Sequence, residues 1–136
     1  MKTIVLAIFF ATIGGTCLAQ QPSLQRGCED SALTQAELNK CASDRAKRAD
    51  DDLKAAYASL LDAASDDKAA QLKFRALERA WLRFRDAYLA AAFPASDKQL
   101  TYGSMYPMEY DDLVEEITRQ QIGCVLRLLK DYAGSK

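Results

Sequence analysis

The sequence predicts an all-α protein, a small bundle of about three main helices that follows a cleaved signal peptide. Apolar residues recur at helical spacings over most of the chain, two breaks rich in Ser, Asp, Gly or Pro separate these stretches, and no segment alternates convincingly with strand period. A chain of 136 residues supplies one ordinary domain. We therefore expect a signal peptide over residues 1–19 and a single helical domain over residues 20–136.

The N-terminus has the layout of a secretory signal. Lys2 precedes an uncharged run from Ile4 to Ile13, which is too short to span a bilayer, and small residues lead to a predicted cleavage site after Ala19. This layout predicts a periplasmic or secreted protein with no stable membrane span after cleavage. One alternative is a short buried or anchoring helix. Another is a lipid on Cys17, although Gly14-Gly15-Thr16 lacks the residues that usually precede a lipidated cysteine.

Composition excludes several classes of function. The chain has 18 basic and 19 acidic residues, a formal charge of -1, and no histidine. This charge balance argues against a nucleic-acid partner, and the missing histidines exclude the common Ser/His and Cys/His nucleophile systems and His-containing zinc sites. No phosphate-binding glycine loop or nucleotide fingerprint appears. We therefore expect a binding protein without catalytic residues, metal or cofactor, and not an enzyme.

Export predicts that cysteines of the mature protein form a disulfide, because oxidising compartments favour disulfides. Cleavage removes Cys17 and leaves Cys28, Cys41 and Cys124. Cys28 and Cys41 close the shorter loop and are predicted to form a disulfide, which typically stabilises a fold by about 3 kcal/mol. Cys124 is expected to be a small buried hydrophobe within the apolar run from Ile122 to Leu129. The alternative for Cys124 is a bridge to another chain.

The first long helix is predicted to start after Thr34, which forms a capping-box signature with Glu37. It is expected to end near Ala64. Residues at spacings of three and four form its predicted helical stripe: Leu38, Cys41, Arg45, Ala49, Leu53, Tyr57, Leu60 and Ala64.

The second long helix is predicted between a cap within Ser65-Asp66-Asp67 and a stop at Pro94. We expect its aromatic side chains Trp81, Phe84 and Tyr88 to fill the core of the bundle. The predicted stripe on this helix contains Leu72, Ala76, Leu77, Ala80, Trp81, Phe84 and Tyr88.

A loop is predicted from Phe93 to Pro107 and a third helix from about Met108 to Tyr132. Two sets of like charges lie on the second and third helices, and the sequence leaves open whether they face one another or are each solvated. The basic set is Arg75, Arg79 and Arg83, and the acidic set is Glu109, Asp111, Asp112, Glu115 and Glu116.

The order of motifs along the chain resembles the LprI-like lysozyme inhibitor N-terminal domain. The motifs are Cys28, the run from Thr34 through Glu37 to Ala42, Ala49-Asp50 with Leu53 and Tyr57, Ala80-Trp81, Arg85-Asp86-Ala87, Gly103-Ser104-Met105 and Thr118-Arg119. The resemblance covers Cys28 to Leu129, implies a small helical exported bacterial domain, and supports the pairing of Cys28 with Cys41. Members often carry a second cysteine pair, but Leu89 and the Tyr106–Tyr110 region stand at those places here, so the loop lacks a covalent tether.

The family is named for a member that inhibits lysozyme, so the resemblance implies a lysozyme inhibitor. We expect such a protein to act by steric occlusion of the enzyme's cleft rather than by catalysis, through an acidic face and a projecting element. The candidate partner-binding residues lie in the loop and on the acidic start of the third helix: Tyr102, Ser104, Met105, Tyr106, Glu109, Asp112 and Glu116. The alternative for the loop is that it packs over the end of the bundle, with Gly103 supplying a turn and Arg85 and Asp86 holding the loop backbone by hydrogen bonds. The alternative function is a structural or accessory cell-envelope domain that binds another envelope protein without inhibiting lysozyme.

Overall fold

A computed structural model of the chain describes residues 26–135. The predicted signal peptide and its cleavage site after Ala19 lie outside the described residues. Three long helices dominate this part of the chain: α2 (Gln35–Ala63), α3 (Lys68–Ala92) and α5 (Tyr106–Gly134). The short helices α1 (Arg26–Glu29) and α4 (Lys98–Tyr102) and a single 3-10 turn (Gly103–Met105) complete the set. The described residues contain no strand, so the all-α prediction is confirmed for them.

The predicted starts of α2 and α3 are confirmed, and at both of them a side chain satisfies a free backbone donor. The Thr34 hydroxyl accepts a hydrogen bond from the N–H of Glu37 at 3.2 Å, and the Glu37 carboxylate accepts one from the N–H of Thr34 at 2.9 Å. At the start of α3, the Asp67 carboxylate accepts a hydrogen bond from the N–H of Ala70 at 2.9 Å. This helix ends at Ala92, two residues before Pro94, as the proline predicts.

Much of the segment predicted as a loop, Phe93 to Pro107, is helical. Asp97 caps the short helix α4 by accepting a hydrogen bond from the N–H of Leu100 at 2.8 Å, and Gly103 takes a φ of 70° at the turn that follows. The third long helix starts at Tyr106 rather than at Met108. Pro107 lies in its first turn, where the missing N–H has no helical partner to lose.

The disulfide between Cys28 and Cys41 is present in the structure, with a Cα–Cα distance of 5.9 Å. It joins the short helix α1 to the first half of α2. This covalent link fixes the start of the described chain against the bundle.

Three non-covalent contacts along the bundle show that α2 and α5 run in the same direction. Arg45 contacts Asp112, Gln121 donates a hydrogen bond to the Tyr57 hydroxyl at 2.8 Å, and the Tyr132 hydroxyl lies 3.2 Å from Asp67. The α3 helix runs in the opposite direction along this pair, since Arg85 meets Asp50 and Phe74 meets Tyr132, so the bundle is up-down-up. The α2 and α5 helices pack most closely, because α2 faces α5 with small buried side chains, including Ala42, Ala46, Ala49 and Ala56.

The core divides into a large cluster and a smaller one. Tyr57, Leu60 and Val125 are almost completely buried in the large cluster, and Phe74 and Trp81 of α3 pack against them. The smaller cluster lies toward the other end of the bundle and consists of Ala46, Leu89, Val114 and Ile117. The α3 helix therefore reaches the core through a few large side chains.

The prediction that Phe84 and Tyr88 fill the core was wrong. Trp81 is buried as expected, but Phe84 is 57% exposed and Tyr88 is 45% exposed. The side of α3 that faces α2 and α5 contains Phe74, Trp81 and Leu89. Much of the predicted stripe lies on another side of the helix and is exposed: Leu72, Ala76, Leu77, Ala80, Phe84 and Tyr88.

The prediction that Cys124 is buried was also wrong, because its side chain is exposed. On α5 the buried residues include Ile117, Thr118 and Val125. Successive residues of a helix point in directions about 100° apart. Cys124 therefore lies beside the buried face, although its neighbour Val125 lies within it.

Candidate functional site

The end of the bundle at the α3–α5 connection is organised by aromatic rings. Tyr102, Tyr106 and Tyr110 surround Phe93, with ring centroids 5.5, 5.2 and 5.9 Å from that ring, distances typical of favourable aromatic pairs. The Tyr102 hydroxyl accepts a hydrogen bond from the N–H of Ala95 at 3.2 Å. These residues form the aromatic cluster, which holds the connection in the region where the sequence lacks a second cysteine pair.

Sequence reasoning missed the contribution of Phe93 and Tyr110 to this cluster. The signal that could have found it is the spacing of Tyr102, Tyr106 and Tyr110, which recur every four residues and so share one side of a helical path. Packing over the end of the bundle is therefore the role that the structure gives to Tyr102 and Tyr106.

The tip of the connection is also tied to α2. The side-chain amide of Asn39 donates a hydrogen bond to the carbonyl oxygen of Ser104 at 3.1 Å, and the Lys98 ammonium donates to the carbonyl oxygens of Phe93 and Ala95. The Ser104 and Met105 side chains themselves are exposed. The structure thus presents these two predicted partner-binding residues on a backbone that hydrogen bonds hold in place.

Two of the three predicted acidic residues make no ion pair within the described part of the chain. Glu109 and Glu116 are seven positions apart on α5, so they point in similar directions, and both are exposed. Neither makes an ion pair within residues 26–135, and the Glu116 carboxylate accepts a hydrogen bond from the side-chain amide of Gln120 at 3.3 Å. Asp112 lies between them but contacts Arg45. We call Ser104, Met105, Glu109 and Glu116 together the tip surface.

Arg45 forms ion pairs with three acidic side chains where α2 packs against α5. Its guanidinium is nearly buried and contacts the carboxylates of Glu29, Asp112 and Glu115, the last at 2.9 Å. Burial opposes the charge of Arg45, but hydrogen bonds to Asp112 and Glu115 outweigh this effect, and the pKa of Arg45 is raised. The group is a structural junction that joins α1, α2 and α5.

The two charge sets on the long helices do not face one another. Arg75, Arg79 and Arg83 are exposed and make no ion pair within the described part of the chain. Asp112 and Glu115 contact Arg45, and Glu115 also contacts Arg119 at 2.8 Å. The arginine row and the acidic start of α5 are therefore separate surfaces.

Arg85 has a different role from the predicted one. Its guanidinium binds the Asp50 carboxylate at 2.5 Å and lies over the ring of Trp81, 4.9 Å from the ring centroid. The expectation that Arg85 and Asp86 hold the loop backbone by hydrogen bonds was wrong, because Arg85 ties α3 to α2 and Asp86 lines a cleft.

This cleft has a volume of about 310 Å³ and lies between α2, α3 and α5. Asp86, Asp111 and Tyr110 line it together with Lys47 and the Asp50–Arg85 pair. Burial raises the pKa of Asp111, and its hydrogen bond with Ser43 opposes this effect. Burial likewise raises the pKa of Tyr110.

Within residues 26–135 no group of three or more histidine, cysteine, aspartate or glutamate side chains is placed to hold a metal ion. The same range contains no helix that is long and apolar enough to cross a membrane.

These features define a small disulfide-linked helical bundle with an exposed acidic surface beside a fixed connection. The family model described as lysozyme inhibitor LprI matches residues 28–123. The chain therefore belongs to the LprI lysozyme inhibitor family, and the resemblance seen in the ordered motifs is confirmed. No curated protein and no solved structure matches the chain.

Proposed function

We propose that this protein is exported to the periplasm or secreted, with cleavage after Ala19, and inhibits a lysozyme by occluding its sugar-binding cleft. The observation that carries the proposal is the family match over residues 28–123. The signal-like residues 1–19 support export, because a basic start, a short apolar run and small residues before a polar stretch are typical of secretory signals.

The tip surface is the face that would meet the enzyme. Lysozymes are commonly cationic, and exposed carboxylates such as Glu109 and Glu116 would accelerate their approach. Both carboxylates are free of ion pairs within the described residues, so docking would not first have to break an internal ion pair. Asp112 contributes less to this field because Arg45 neutralises it.

A projecting element is needed to block a concave cleft, and the exposed residues Ser104 and Met105 are our candidates for it. The aromatic cluster and the hydrogen bond from Asn39 hold the backbone that carries them. A contact surface that is already ordered loses less conformational entropy on binding. Inhibition in this scheme is steric and requires no catalytic residue on the inhibitor.

The direct test adds the purified protein to a lysozyme lysis assay with bacterial cell walls. We expect lysis to slow in proportion to the amount of inhibitor and to stop at an excess. Unchanged lysis at a large molar excess would remove inhibition from the account and favour the accessory envelope function.

A second experiment tests the tip surface itself. The double variant Glu109→Gln with Glu116→Gln should associate with lysozyme more slowly than the parent and with a weaker dependence on salt. The matched control, Asp62→Asn with Asp66→Asn, changes the net charge equally at exposed positions toward the other end of the bundle. Equal association rates for both double variants would exclude the acidic residues as the docking face.

A third experiment tests the apolar part of the tip surface with one variant there and one control variant elsewhere. Met105→Ala should weaken inhibition, whereas Leu126→Ala should leave it unchanged, because both residues are about half exposed but Leu126 lies in the second half of α5. Equal inhibition by the two variants would show that Met105 does not touch the enzyme.

A further inference from the structure

The outward side of α3 exposes large apolar side chains that are separate from the tip surface. Leu77 is 38% exposed, and Phe84 and Tyr88 are exposed further along the same side of the helix. The Phe84 and Tyr88 rings lie against each other, with centroids 5.8 Å apart. Contiguous apolar surface of this kind on a small protein commonly marks an interaction site.

Small side chains fill the spaces between these large ones, and a single charge interrupts the surface. We call this surface the α3 seam. It consists of eight exposed residues on one side of the helix: Lys73, Ala76, Leu77, Ala80, Phe84, Ala87, Tyr88 and Ala91.

We propose that the α3 seam is the interface of a homodimer, in which the α3 helices of two copies pack antiparallel about a two-fold axis that passes between Ala80 and Phe84, at the height of Leu82 along the helix. In such a pair, residues that lie equally far from Leu82 on its two sides become neighbours across the axis. The resulting pairs are Leu77 with Ala87, Ala80 with Phe84, Ala76 with Tyr88, and Lys73 with Ala91.

Every large apolar side chain of the seam meets an alanine of the other copy in this arrangement. Large and small residues that alternate across two helices interdigitate, which is the packing that stabilises helix pairs. The order of residues on α3 is therefore complementary to itself, and this property identifies a second copy as the occupant.

The low charge of the α3 seam also favours a second copy of this chain as its partner. Lys73 is the seam's only charged residue, and it meets Ala91 rather than another cation. The seam thus offers almost no charge by which a strongly acidic or basic partner could be selected. The arginine row Arg75, Arg79 and Arg83 is offset around α3 from the line of Leu77 and Phe84.

The exposed area of the seam indicates that the dimer has a low affinity. Phe84 and Tyr88 together expose about 200 Å² per copy, if a whole aromatic side chain offers about 200 Å². A stable interface buries about 800 Å² on each partner, so the seam and its edges form a small interface. The dimer should therefore be weak and should dissociate on dilution.

Sedimentation equilibrium of the Cys124→Ser variant, which cannot form a bridge through Cys124 and keeps the Cys28–Cys41 disulfide, tests the proposal. We expect a monomer–dimer equilibrium that shifts with concentration and does not weaken when salt is raised, because the seam carries a single charge. A monomer at all concentrations up to about 1 mM would overturn the proposal. A dimer that forms in the parent protein but not in Cys124→Ser would also overturn it, since Cys124 would then form the contact.

Reciprocal variants test the pairing itself. Phe84→Ala leaves a gap and Ala80→Phe creates a clash, so each should raise the dimer dissociation constant at least about tenfold. The double variant, Ala80→Phe with Phe84→Ala, exchanges the two side chains and should recover most of the parent affinity.

Leu126→Ala serves as the control, because Leu126 is an exposed apolar residue on α5 that lies outside the seam. Thermal unfolding of the dilute proteins checks that each variant is folded, which is expected because the substituted residues are exposed. Single variants that dimerise like the parent, or a double variant that fails to recover, would contradict the proposed pairing.

Discussion

The helices α2 and α3 have similar lengths, 29 and 25 residues, yet they contribute to the bundle very differently. Nine residues of α2 are buried, many of them alanines, so α5 approaches its backbone closely. Only Phe74, Trp81 and Leu89 are buried on α3, and these are large side chains. The α3 helix is thus held by a few large contacts, and most of its surface remains exposed.

The charges of the two helices differ in the same way. On α2, Arg45 contacts three carboxylates and Asp50 binds Arg85. On α3, the arginine row has no such contacts within residues 26–135. The comparison teaches that α2 and α5 form the structural centre, whereas α3 has a sparse inner face and a broad outer face that remains available for contacts with other molecules.

The strongest way to test this difference is to truncate one aromatic residue from each face of α3. Trp81→Ala removes a buried indole that packs against α2 and α5, and we expect a loss of about 3–5 kcal/mol in the free energy of unfolding. Phe84→Ala should change it by no more than about 0.5 kcal/mol, the usual range for exposed positions. Urea denaturation of dilute protein measures both values.

Dilution matters in this measurement because a dimer through the seam would add stability to the parent at high concentration. Equal losses for Trp81→Ala and Phe84→Ala would show that both faces of α3 are packed in the monomer. That result would contradict the orientation of α3 and the seam together.

Much of the fold could be predicted because its signals are local. Thr34 and Glu37 cap α2, Asp67 caps α3, and Pro94 follows the end of α3, all within a few residues of the boundary that they set. The Cys28–Cys41 bridge was predictable for a similar reason, since it closes a short loop. These features depend on chemistry between near neighbours in the sequence.

The orientation of α3 and the exposure of Cys124 could not be predicted in this way. Phe74, Trp81 and Leu89 satisfy a helical spacing, and so do Leu77, Phe84 and Tyr88. Periodicity identifies both stripes but does not determine which one meets α2 and α5. Ion-pair partners such as Arg45 and Asp112 likewise depend on which helices become neighbours. The candidate site was therefore predicted as a region, and its accessible residues only in part.

A second test compares arginines from the two helices. Arg45→Met removes a nearly buried guanidinium that contacts the carboxylates of Glu29, Asp112 and Glu115, and we expect a loss of about 3 kcal/mol in unfolding free energy. Arg79→Met on the exposed row of α3 should change this free energy by no more than about 0.5 kcal/mol. Thermal and urea unfolding of both variants give the comparison.

Each of these variants removes one positive charge, so the difference between them reports the contacts of Arg45 rather than net charge. Arg119, which also contacts Glu115, could compensate in part. A loss for Arg45→Met as small as that for Arg79→Met would mean that the junction of α1, α2 and α5 does not depend on this guanidinium.

The smallest expected effect concerns the cleft that lies between α3 and the α2–α5 pair. Burial there raises the pKa of Asp111 above its ordinary value of 3.8. The folded protein therefore binds this proton more tightly than the unfolded chain does, and the ionised carboxylate opposes folding at neutral pH. This opposition is complete above the raised pKa and disappears as the pH falls below 3.8.

Asp111→Asn should consequently raise the unfolding free energy at neutral pH by about 0.5 kcal/mol, the size common outside the core. The gain should shrink as the solution is acidified, because the parent loses its opposing charge while the amide does not titrate. Asn also keeps an oxygen that can accept the hydrogen bond from Ser43. Unfolding curves from neutral pH to about pH 3 measure the trend, with Asp62→Asn as a control for net charge. A gain that grows on acidification would mean that Asp111 is stabilised as the carboxylate, and that α3 does not bury it.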